Sequence, residues 1–443
     1  MVIVKSSLIS WLLVMVLIVR CIGMRTVRMM SSTSGALPRS LAASTRGAHR
    51  VTTFNVLSSH LASPDYFRNC EPQYLAQDYR LNKVKERLDV ETDNGAVICL
   101  QEVSTQWAGA LHAYFANRGY TFITALYGKK FNGYMGVAMA VPTDKYEVEA
   151  CDIQCIGDTK IVPRQPKLTR VGKLLQRGAN ALRALKIMKK KEDNPWQLAA
   201  RRANQMICMK LKPKHGTSDS VAMKESSTAR DKAGKSFVVG TYHMPCMFRT
   251  PQVMMIHCAL SAQHIHKFAA GAPYVYCGDF NIKPDSAMYN MLTEGTITNP
   301  AIMENPAHIR HEDDEWECEP YVPLLSAYKE ALGKEPDFTN YAQVLKEPPF
   351  IDTLDYIFLS SAEGSAASAA AGGGGGGTSC WEVESVLNIP HRDLVQGPLP
   401  AEEEPSDHVM LSANLAIVDA ESEGRAAAVI PKEYRDLASQ GKA

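Results

Sequence analysis

Polar side chains that could act on a substrate stand at the ends of six short apolar runs. A single carboxylate at such a position is more often a turn cap, but its recurrence at six runs favours one shared site. The residues are Asn55 after TTF, Glu102 in ICLQEV, His243 after GTY, Asp279 and Asn281 after YVYCG, Asp355 in TLDYIF, and Asp407 with His408 before VMLSANL.

These residue types suit the hydrolysis of a phosphoric ester. Glu102 offers a hard oxygen ligand, and Mg²⁺ takes only one or two protein carboxylates while it keeps waters and substrate phosphate. Strand residues i and i+2 share a face, so Asp279 and Asn281 are expected to face one target. Asp279 is the candidate for holding and activating the attacking water, with Asn281 beside it. A turn that both side chains cap remains the alternative at this point.

Two histidines complete the predicted chemistry. Negative charge that develops on phosphorus needs cationic or hydrogen-bonding donors, and His243 and His408 could supply them. A carboxylate on the far nitrogen of His408 would keep its ring protonated and oriented, and Asp355 is the candidate. The sequence has no G-x-S-x-G elbow, no P-loop and no G-x-G-x-x-G that opens a helix. Water is therefore the expected nucleophile.

The apolar runs themselves are predicted to be the strands that hold these residues. They are VTTFNVL (51–57), AVICLQEV (96–103), SFVVGTYHM (236–244), PYVYCGDFN (273–281), TLDYIFLS (353–360) and HVMLSANLAI (408–417). Apolar side chains recur at helical spacing in residues 73–91, which predicts a helix there. Residues 251–270 predict a second helix, which crosses between two strands. Strands separated by helices predict an α/β sandwich of two sheets with helices outside.

The composition indicates a globular chain with reduced cysteines. The 443 residues carry a formal net charge of +1 with a pI near 7.6, so any binding of a polyanion must be local. The eleven cysteines are scattered, and several lie in apolar strands. This pattern indicates buried thiols instead of a disulfide framework. Cys151 and Cys155 lack a second ligand pair at zinc spacing.

Residues 1–48 are predicted to be a targeting leader, residues 49–418 the catalytic domain and residues 419–443 a polar tail. Residues 8–19 are apolar but too short to span a bilayer comfortably, and no acidic residue precedes Asp65. Signal-peptide and transit-peptide features are thus combined, and we expect delivery to a mitochondrion or plastid. A cytoplasmic location and a signal anchor in the endomembrane system are the alternatives. No stable membrane association of the mature domain is expected.

Two insertions interrupt the predicted domain. The first, residues 167–203, is basic, and residues 167–191 alone contain nine Lys or Arg and no acid. This pattern favours a solvated amphipathic helix over a patch that binds a phosphate backbone, which is the alternative. The second, residues 362–379, includes six consecutive glycines at 372–377 and predicts a flexible surface loop.

The motifs FNVL, LQEV, TYH, CGDFN, LDYIF and PSDH occur in this order across residues 50–417. Together they resemble the endonuclease/exonuclease/phosphatase superfamily of metal-dependent phosphodiesterases. The stretches FNVLSSHLASPDYFRNCEPQYLAQDYRLNKVKERL, GDFNIKPDSAMYNML and FTNYAQVLKEPPFIDTLDYIFLS are similar to the branch of carbon-catabolite-repressor-type deadenylases, nocturnin, Angel and 2′-phosphodiesterase. The resemblance implies a DNase-I-like, four-layered α/β sandwich, with two central mixed sheets flanked by helices and the site at one end.

The resemblance also implies a role for each matched residue. Mg²⁺, or Mn²⁺ in its place, would be held mainly by Glu102, with Asp407 and Asn55 as further metal candidates. Asp279 would activate or align the water. Asn281, together with Asn55, would bind phosphate or a water on the metal.

His243 and His408 would stabilise the transition state, supported by Asp407 and Asp355. The chain departs from the branch in the stretch HMPCMFRTP, which begins at His243 and would lie near the leaving nucleotide, so the base preference is open. The candidates for stacking on a base or holding a phosphate there are Phe248, Arg249 and Phe350.

The leading hypothesis is a Mg²⁺-dependent 3′→5′ exoribonuclease that acts on the 3′ end of single-stranded RNA, with a preference for poly(A). A small-nucleotide enzyme on the same scaffold is the alternative, either a phosphatase for the 2′-phosphate of NADP or a phosphodiesterase for 2′,5′-oligoadenylate. A degenerate, non-enzymatic relative that binds RNA is a third class. The intact set of motif residues argues against it.

Overall fold

The structure, a computed structural model, describes residues 48–160, 177, 195–214, 234–295, 322–361 and 379–419. Within these ranges the strands are β1 (His49–Asn55), β2 (Val97–Val103), β3 (Tyr120–Leu126), β4 (Gly136–Pro142), β5 (Tyr146–Cys155), β6 (Gln205–Pro213), β7 (Phe237–His243), β8 (Tyr274–Asp279), β9 (Leu324–Ser326), β10 (Asn340–Ala342), β11 (Phe350–Asp352), β12 (Asp355–Ser360), β13 (Ser379–Val386) and β14 (Leu411–Asp419). The α-helices are α1 (Pro72–Leu75), α2 (Gln77–Asp93), α3 (Thr105–Ala116), α4 (Pro195–Ala199), α5 (Pro251–Ala269), α6 (Ala287–Glu294) and α7 (Ala327–Leu332).

The strands form two mixed, six-stranded sheets. The first sheet has the order β13-β14-β1-β2-β4-β3, and the second has the order β5-β6-β7-β8-β12-β9. Each sheet contains one central parallel pair, β1 with β2 and β7 with β8. A separate two-stranded ladder, β10 with β11, lies at residues 340–352.

The two sheets pack face to face, and helices cover their outer faces. One buried cluster joins the inner faces of the sheets, with Val51 and Val97 from the first and Val239 and Val275 from the second. A second cluster joins the outer face of the first sheet to α2 and α3. A third joins the outer face of the second sheet to α5 and α6. The predicted four-layered α/β sandwich is confirmed.

Two helical crossovers determine where the functional side chains meet. The chain passes from β1 through α2 to the parallel neighbour β2, and from β7 through α5 to the parallel neighbour β8. Because parallel strands end at the same edge of a sheet, the ends of β1 and β2 lie together, as do those of β7 and β8. The predicted crossover helix at 251–270 is observed as α5.

All six predicted strands are present, but most of their bounds differ from the prediction by one to three residues. β1 ends at Asn55 and β8 ends at Asp279, both two residues earlier than predicted, and β14 begins only at Leu411. Eight further strands were not predicted from the sequence, namely β3, β4, β5, β6, β9, β10, β11 and β13. β5 lies at the edge of its sheet and most of its side chains are exposed or half-buried, so it lacks the apolar pattern of a central strand.

Several predicted segments fall outside the described residues. They are 1–47 of the leader, 161–176 and 178–194 around the basic insertion, 362–378 of the glycine-rich loop, and 420–443 of the tail. No described helix combines the length and the apolar character needed to cross a bilayer. The nine cysteines within the described ranges are free thiols, and five of them are buried as predicted, whereas Cys151 and Cys246 are exposed.

Gly278 marks a close approach between β7 and β8, directly before Asp279. Its φ is +147°, and a Cβ at this position would overlap the carbonyl oxygen of Tyr242. We expect Gly278→Ala to lower the free energy of unfolding by about 2–4 kcal/mol, because strain and overlap add. Urea denaturation followed by circular dichroism measures the change.

Gly109 provides the matched control for that substitution. It lies within α3, is exposed, and has open space where a Cβ would stand. Gly109→Ala should raise the free energy of unfolding by roughly 0.5–1 kcal/mol, because alanine favours a helix. Equal stability of the two variants would contradict the steric role of Gly278.

Candidate active site

Three functional side chains lie side by side at one end of the second sheet. His243 at the end of β7 stands opposite Asp279 at the end of β8, and Asp279 stands opposite Asp355 at the start of β12. Val275 and Ile357 on the same strands face the core between the sheets. Since side chains alternate along a strand, Asp279 and Asp355 share that inner face.

Asn55 connects the two sheets at this end. It ends β1 of the first sheet, and its Nδ2 donates to Oδ2 of Asp279 at 2.9 Å and to Oε1 of Glu102 at 3.3 Å. Its Oδ1 accepts a hydrogen bond from the backbone N–H of Leu57 at 3.0 Å. The amide nitrogen, not the oxygen, thus faces the carboxylates, so a metal-ligand role for Asn55 requires its amide to turn.

Glu102 reaches the site through an irregular strand end. Ile98 and Leu100 of β2 pack on the outer, helix-covered face, and simple alternation would send Glu102 there as well. Its φ is +60°, and the pairing of β2 with β4 shifts register between Leu100 and Val103. The bulge turns the carboxylate towards Asn55, and Oε2 accepts from the N–H of Ser58 at 3.0 Å. Backbone strain of this kind is typical of functional sites.

His408 is held by a buried carboxylate. Its Nδ1 lies 2.8 Å from Oδ2 of Asp355, and that oxygen also accepts from the hydroxyl of Thr339 at 2.7 Å. Burial alone would lower the pKa of His408, but the carboxylates of Asp355, Asp279 and Asp407 raise it well above its ordinary value. The surrounding carboxylates therefore favour the charged form of the His408 ring.

His243 lies on the other side of Asp279. Its Nε2 is 3.5 Å from Oδ2 of Asp279 and 4.0 Å from Oε1 of Glu102. The Nε2 of His408 is 3.8 Å from the same Asp279 oxygen. A single carboxylate oxygen therefore has two imidazole nitrogens and the amide of Asn55 around it.

Asn281 does not share a strand face with Asp279, contrary to the prediction. β8 ends at Asp279, and Asn281 has φ +53°. Its backbone N–H donates to Oδ1 of Asp279 at 2.9 Å, and its side-chain Nδ2 donates to the carbonyl of Met244 at 3.0 Å. The side chain of Asp279 closes this turn through its Oδ1 atom, so its other oxygen, Oδ2, faces the site.

The acidic groups fit a divalent cation that prefers oxygen ligands. Burial and the negative charge of Glu102 raise the pKa of Asp407, while the cations of His408 and Arg80 oppose them. Two carboxylates that repel each other in this way are stabilised by a cation bound between them. The assignment of the metal to Glu102 and Asp407 remains a prediction from the sequence.

Asp279, Asp355 and His408 offer a second set of ligand atoms, all within 4.8 Å of one another. A metal there would need a neutral imidazole nitrogen. Because Nδ1 of His408 is bound to Asp355, the ring could offer only its Nε2 nitrogen to a cation here.

Several residues that support the site were not identified from the sequence. Tyr127 contacts His243 through its hydroxyl, at 3.0 Å from Nδ1. The side chain of Gln101 donates to Thr53 and Thr241, both at 3.0 Å, and so joins the sheets beneath the site. Thr339 orients Asp355.

Arg80 is a buried cation at the base of the site. It donates to the carbonyls of Val56, Leu57 and Pro405, each at 2.6 Å. These bonds tie the segment after β1 to the segment that precedes Asp407. Arg80 was not singled out from the sequence, although it lies in the stretch FNVLSSHLASPDYFRNCEPQYLAQDYRLNKVKERL that carries the branch resemblance.

The predicted substrate contacts lie on the surface. Phe248 and Arg249 are exposed in the loop that follows His243. Phe350 is partly exposed in β11, and the ammonium of Lys283 lies 5.0 Å from the centre of its ring. None of the three contacts the groups around Asp279 in the described structure, so their roles remain predictions.

Known proteins with similar sequences belong to the family that the motifs resemble. The sequence profile of the Endonuclease/Exonuclease/phosphatase family matches residues 52–408. Carbon catabolite repressor protein 4 homolog 2 of Arabidopsis thaliana is 25% identical over 358 residues, 71% of this chain and 51% of that protein. 2′,5′-phosphodiesterase 12 of Rattus norvegicus is 23% identical over 389 residues, 83% of this chain and 51% of that protein. The chain spans about half the length of the curated relatives it matches.

Solved structures show the same fold. A crystal structure of ANGEL2, a 2′,3′-cyclic phosphatase, superimposes with a TM-score of 0.59 at 17% identity, covering 86% of this chain and 98% of that one. The human Nocturnin catalytic domain gives a TM-score of 0.50 at 16% identity, covering 86% and 99%. These structures confirm the fold, and the two sequence relatives confirm the predicted branch resemblance.

Proposed function

Because the chain belongs to the Endonuclease/Exonuclease/phosphatase family, we propose that it is a Mg²⁺-dependent phosphodiesterase that shortens single-stranded RNA from its 3′ end. The observation that carries the proposal is the arrangement around Asp279. One carboxylate oxygen lies between two imidazoles, with Glu102 next to it. This arrangement provides an acceptor for a water proton, donors for a charged phosphate and a carboxylate for a metal.

Each group has a distinct task in hydrolysis. Mg²⁺ held by Glu102 and Asp407 would neutralise charge on the phosphate and lower the pKa of water. Asp279 holds the attacking water and takes its proton. The imidazolium of His408, with His243 on the opposite side, donates hydrogen bonds to the phosphate oxygens as their charge grows. The water oxygen bonds to phosphorus, the bond to the leaving 3′ oxygen breaks, and that oxygen takes a proton from water to become a hydroxyl.

The loop between β3 and β4 supports a polynucleotide substrate. Lys129, Lys130, Phe131 and Tyr134 are all exposed in it, with 70% of Phe131 and 52% of Tyr134 accessible. The loop is attached to the site, because Tyr127 at its start contacts His243 and the Asn132 carbonyl accepts from Ser58 at 2.8 Å. Aromatic rings beside lysines are the usual means of binding single strands.

The test is a shortening assay with the full chain. A 5′-labelled RNA that ends in adenosines should be shortened stepwise in Mg²⁺, and EDTA should stop the reaction. The same RNA ending in uridines reports the base preference. Intact RNA in the presence of Mg²⁺ would overturn the proposal.

A small-nucleotide substrate is the second candidate, supported by the match to 2′,5′-phosphodiesterase 12 over 83% of the chain. Parallel reactions with 2′,5′-oligoadenylate and NADP distinguish it. Release of AMP or phosphate from these compounds, with RNA left intact, would favour this candidate over the exoribonuclease.

Replacing the exposed aromatic pair should weaken RNA binding selectively. We expect Phe131→Ala with Tyr134→Ala to raise KM for RNA by roughly 5- to 100-fold, since stacking on one base contributes about 1–3 kcal/mol. Hydrolysis of a dinucleotide should change much less. Initial rates against RNA concentration provide the measurement.

Ile153→Ala is the matched control, because Ile153 is an exposed apolar side chain on the edge strand β5. It should leave KM unchanged. An equal rise of KM in both variants would show that the β3–β4 loop does not bind the substrate.

A further inference from the structure

The two histidines beside Asp279 differ in the partner of their far nitrogen. Their Nε2 atoms lie 3.5 Å (His243) and 3.8 Å (His408) from the same Asp279 oxygen. The Nδ1 of His408 meets the carboxylate of Asp355 at 2.8 Å, whereas the Nδ1 of His243 meets the hydroxyl of Tyr127 at 3.0 Å. A carboxylate can only accept a hydrogen bond, but a phenol can accept or donate one.

We propose that Tyr127 is a positioning residue that keeps a proton on Nε2 of His243, facing Asp279 and Glu102. The inference rests on the proposed function only for its effect on RNA hydrolysis. The proton position itself is a property of the protein without substrate.

The hydrogen-bonding capacity of the phenol gives the same result in both charge states of the ring. When His243 is neutral, the Tyr127 hydroxyl donates to Nδ1, so the ring proton stands on Nε2. When His243 is charged, Nδ1–H donates to the phenol oxygen, and Nε2 is protonated again. The opposite tautomer would turn a lone pair of Nε2 towards two carboxylates, which is electrostatically unfavourable.

Tyr127 retains its hydroxyl proton in this environment. Burial, followed by the negative charges of Glu102 and Asp279, raises the pKa of Tyr127 well above its ordinary value. Since an ordinary tyrosine is already protonated at neutral pH, the hydroxyl of Tyr127 is available as a donor.

Backbone bonds hold both partners in place. Tyr127 follows β3 of the first sheet, and the N–H groups of Tyr127 and Gly128 donate to the Met135 carbonyl at 3.1 and 2.8 Å. His243 ends β7 of the second sheet, and its carbonyl accepts from the side chain of Asn204 at 2.8 Å. The phenol therefore reaches across from one sheet to orient a ring on the other.

The proposal predicts a specific kinetic loss. Tyr127→Phe should lower kcat for RNA by roughly 2- to 10-fold, as expected for one uncharged hydrogen bond, with KM nearly unchanged. In a His243→Gln background the same substitution should have no further effect, because the ring it orients is absent. An equal loss in both backgrounds would overturn the proposal.

Nitrogen NMR of protein labelled at histidine tests the tautomer without any substrate. The signals of His243 are those missing in His243→Gln. We expect the Nε2–H form in the wild type and a mixture of tautomers in Tyr127→Phe. An unchanged tautomer would overturn the proposal, whatever substrate the enzyme uses. Loss of the proposed RNA activity in the wild type would leave this readout intact.

Tyr242 offers a matched control one residue from His243. Its hydroxyl contacts Nδ1 of the buried His257 at 2.8 Å, the same type of pair on the outer face of the sheet. Tyr242→Phe should reduce stability without changing kcat or the His243 signals. A similar fall of kcat in both variants would mean that general destabilisation explains the loss.

Discussion

Asp279→Asn is expected to reduce kcat by about 10²- to 10⁴-fold, the range that a positioned general base contributes. The carboxylate is the acceptor that holds the water, and its Oδ2 lies between two imidazole nitrogens and the amide of Asn55. An amide of the same shape cannot take the proton. It would also remove the negative charge that helps to raise the pKa of His408.

The reaction rate at saturating RNA measures the change in kcat. Fluorescence anisotropy measures the binding of RNA separately. Binding should be retained, because the shape of the site is preserved. Asp152→Asn is the matched control, since Asp152 is a surface carboxylate that contacts His264 at 2.8 Å. A loss of only a few-fold in Asp279→Asn would refute its role in activating the water.

His408→Ala is expected to lower kcat by about 10²- to 10³-fold, as is usual when one donor to a developing negative charge is removed. The pair of His408 with Asp355 is buried, and the nearby carboxylates raise the pKa of His408 and favour its cationic form. Removing the ring leaves Asp355 without that partner, so Asp355→Asn should cause a smaller loss in the His408→Ala background than in the wild type.

Single-turnover rates distinguish this effect from a change in product release. His264→Ala, which removes an accessible histidine from its pair with Asp152, should leave the rate unchanged. Full additivity of the His408 and Asp355 substitutions would contradict their action as one unit.

The sequence was sufficient to predict which functional residues stand at strand ends, but it did not predict the direction of every one of their side chains. Asn55, His243, Asp279 and Asp355 follow from alternation along central strands, which is a local rule. Glu102 lies at the site only because of a bulge with φ +60°. Its amino-acid type does not reveal such a distortion, because the pairing with β4 decides it.

Asn281 shows the opposite difference. A same-face pair with Asp279 was expected, but the strand ends first and the two residues form a turn. Tyr127 and Thr339 lie in loops with no apolar periodicity. Tyr127 contacts His243, which is 116 residues later in the sequence, and Thr339 contacts Asp355, which is 16 residues later. Single-sequence patterns do not report such distant contacts.

The running direction of the strands has a consequence for where the chain tolerates changes of length. β12 begins at Asp355 and runs away from the reacting groups, and β13 begins opposite Asp419 at the end of β14. The segment 362–378 is therefore anchored at the pole remote from catalysis, and shortening it should leave the chemistry unaffected.

β5, by contrast, ends at Cys155, which pairs with Gln205, and the neighbouring Asn204 bonds to His243. Cys155 and Asn204, which flank this part of the chain, thus lie at the catalytic pole. The described strand ends next to the two insertions therefore stand at opposite poles of the sandwich. We expect changes of length or charge in the basic insertion, and not in the glycine-rich one, to alter the choice of substrate.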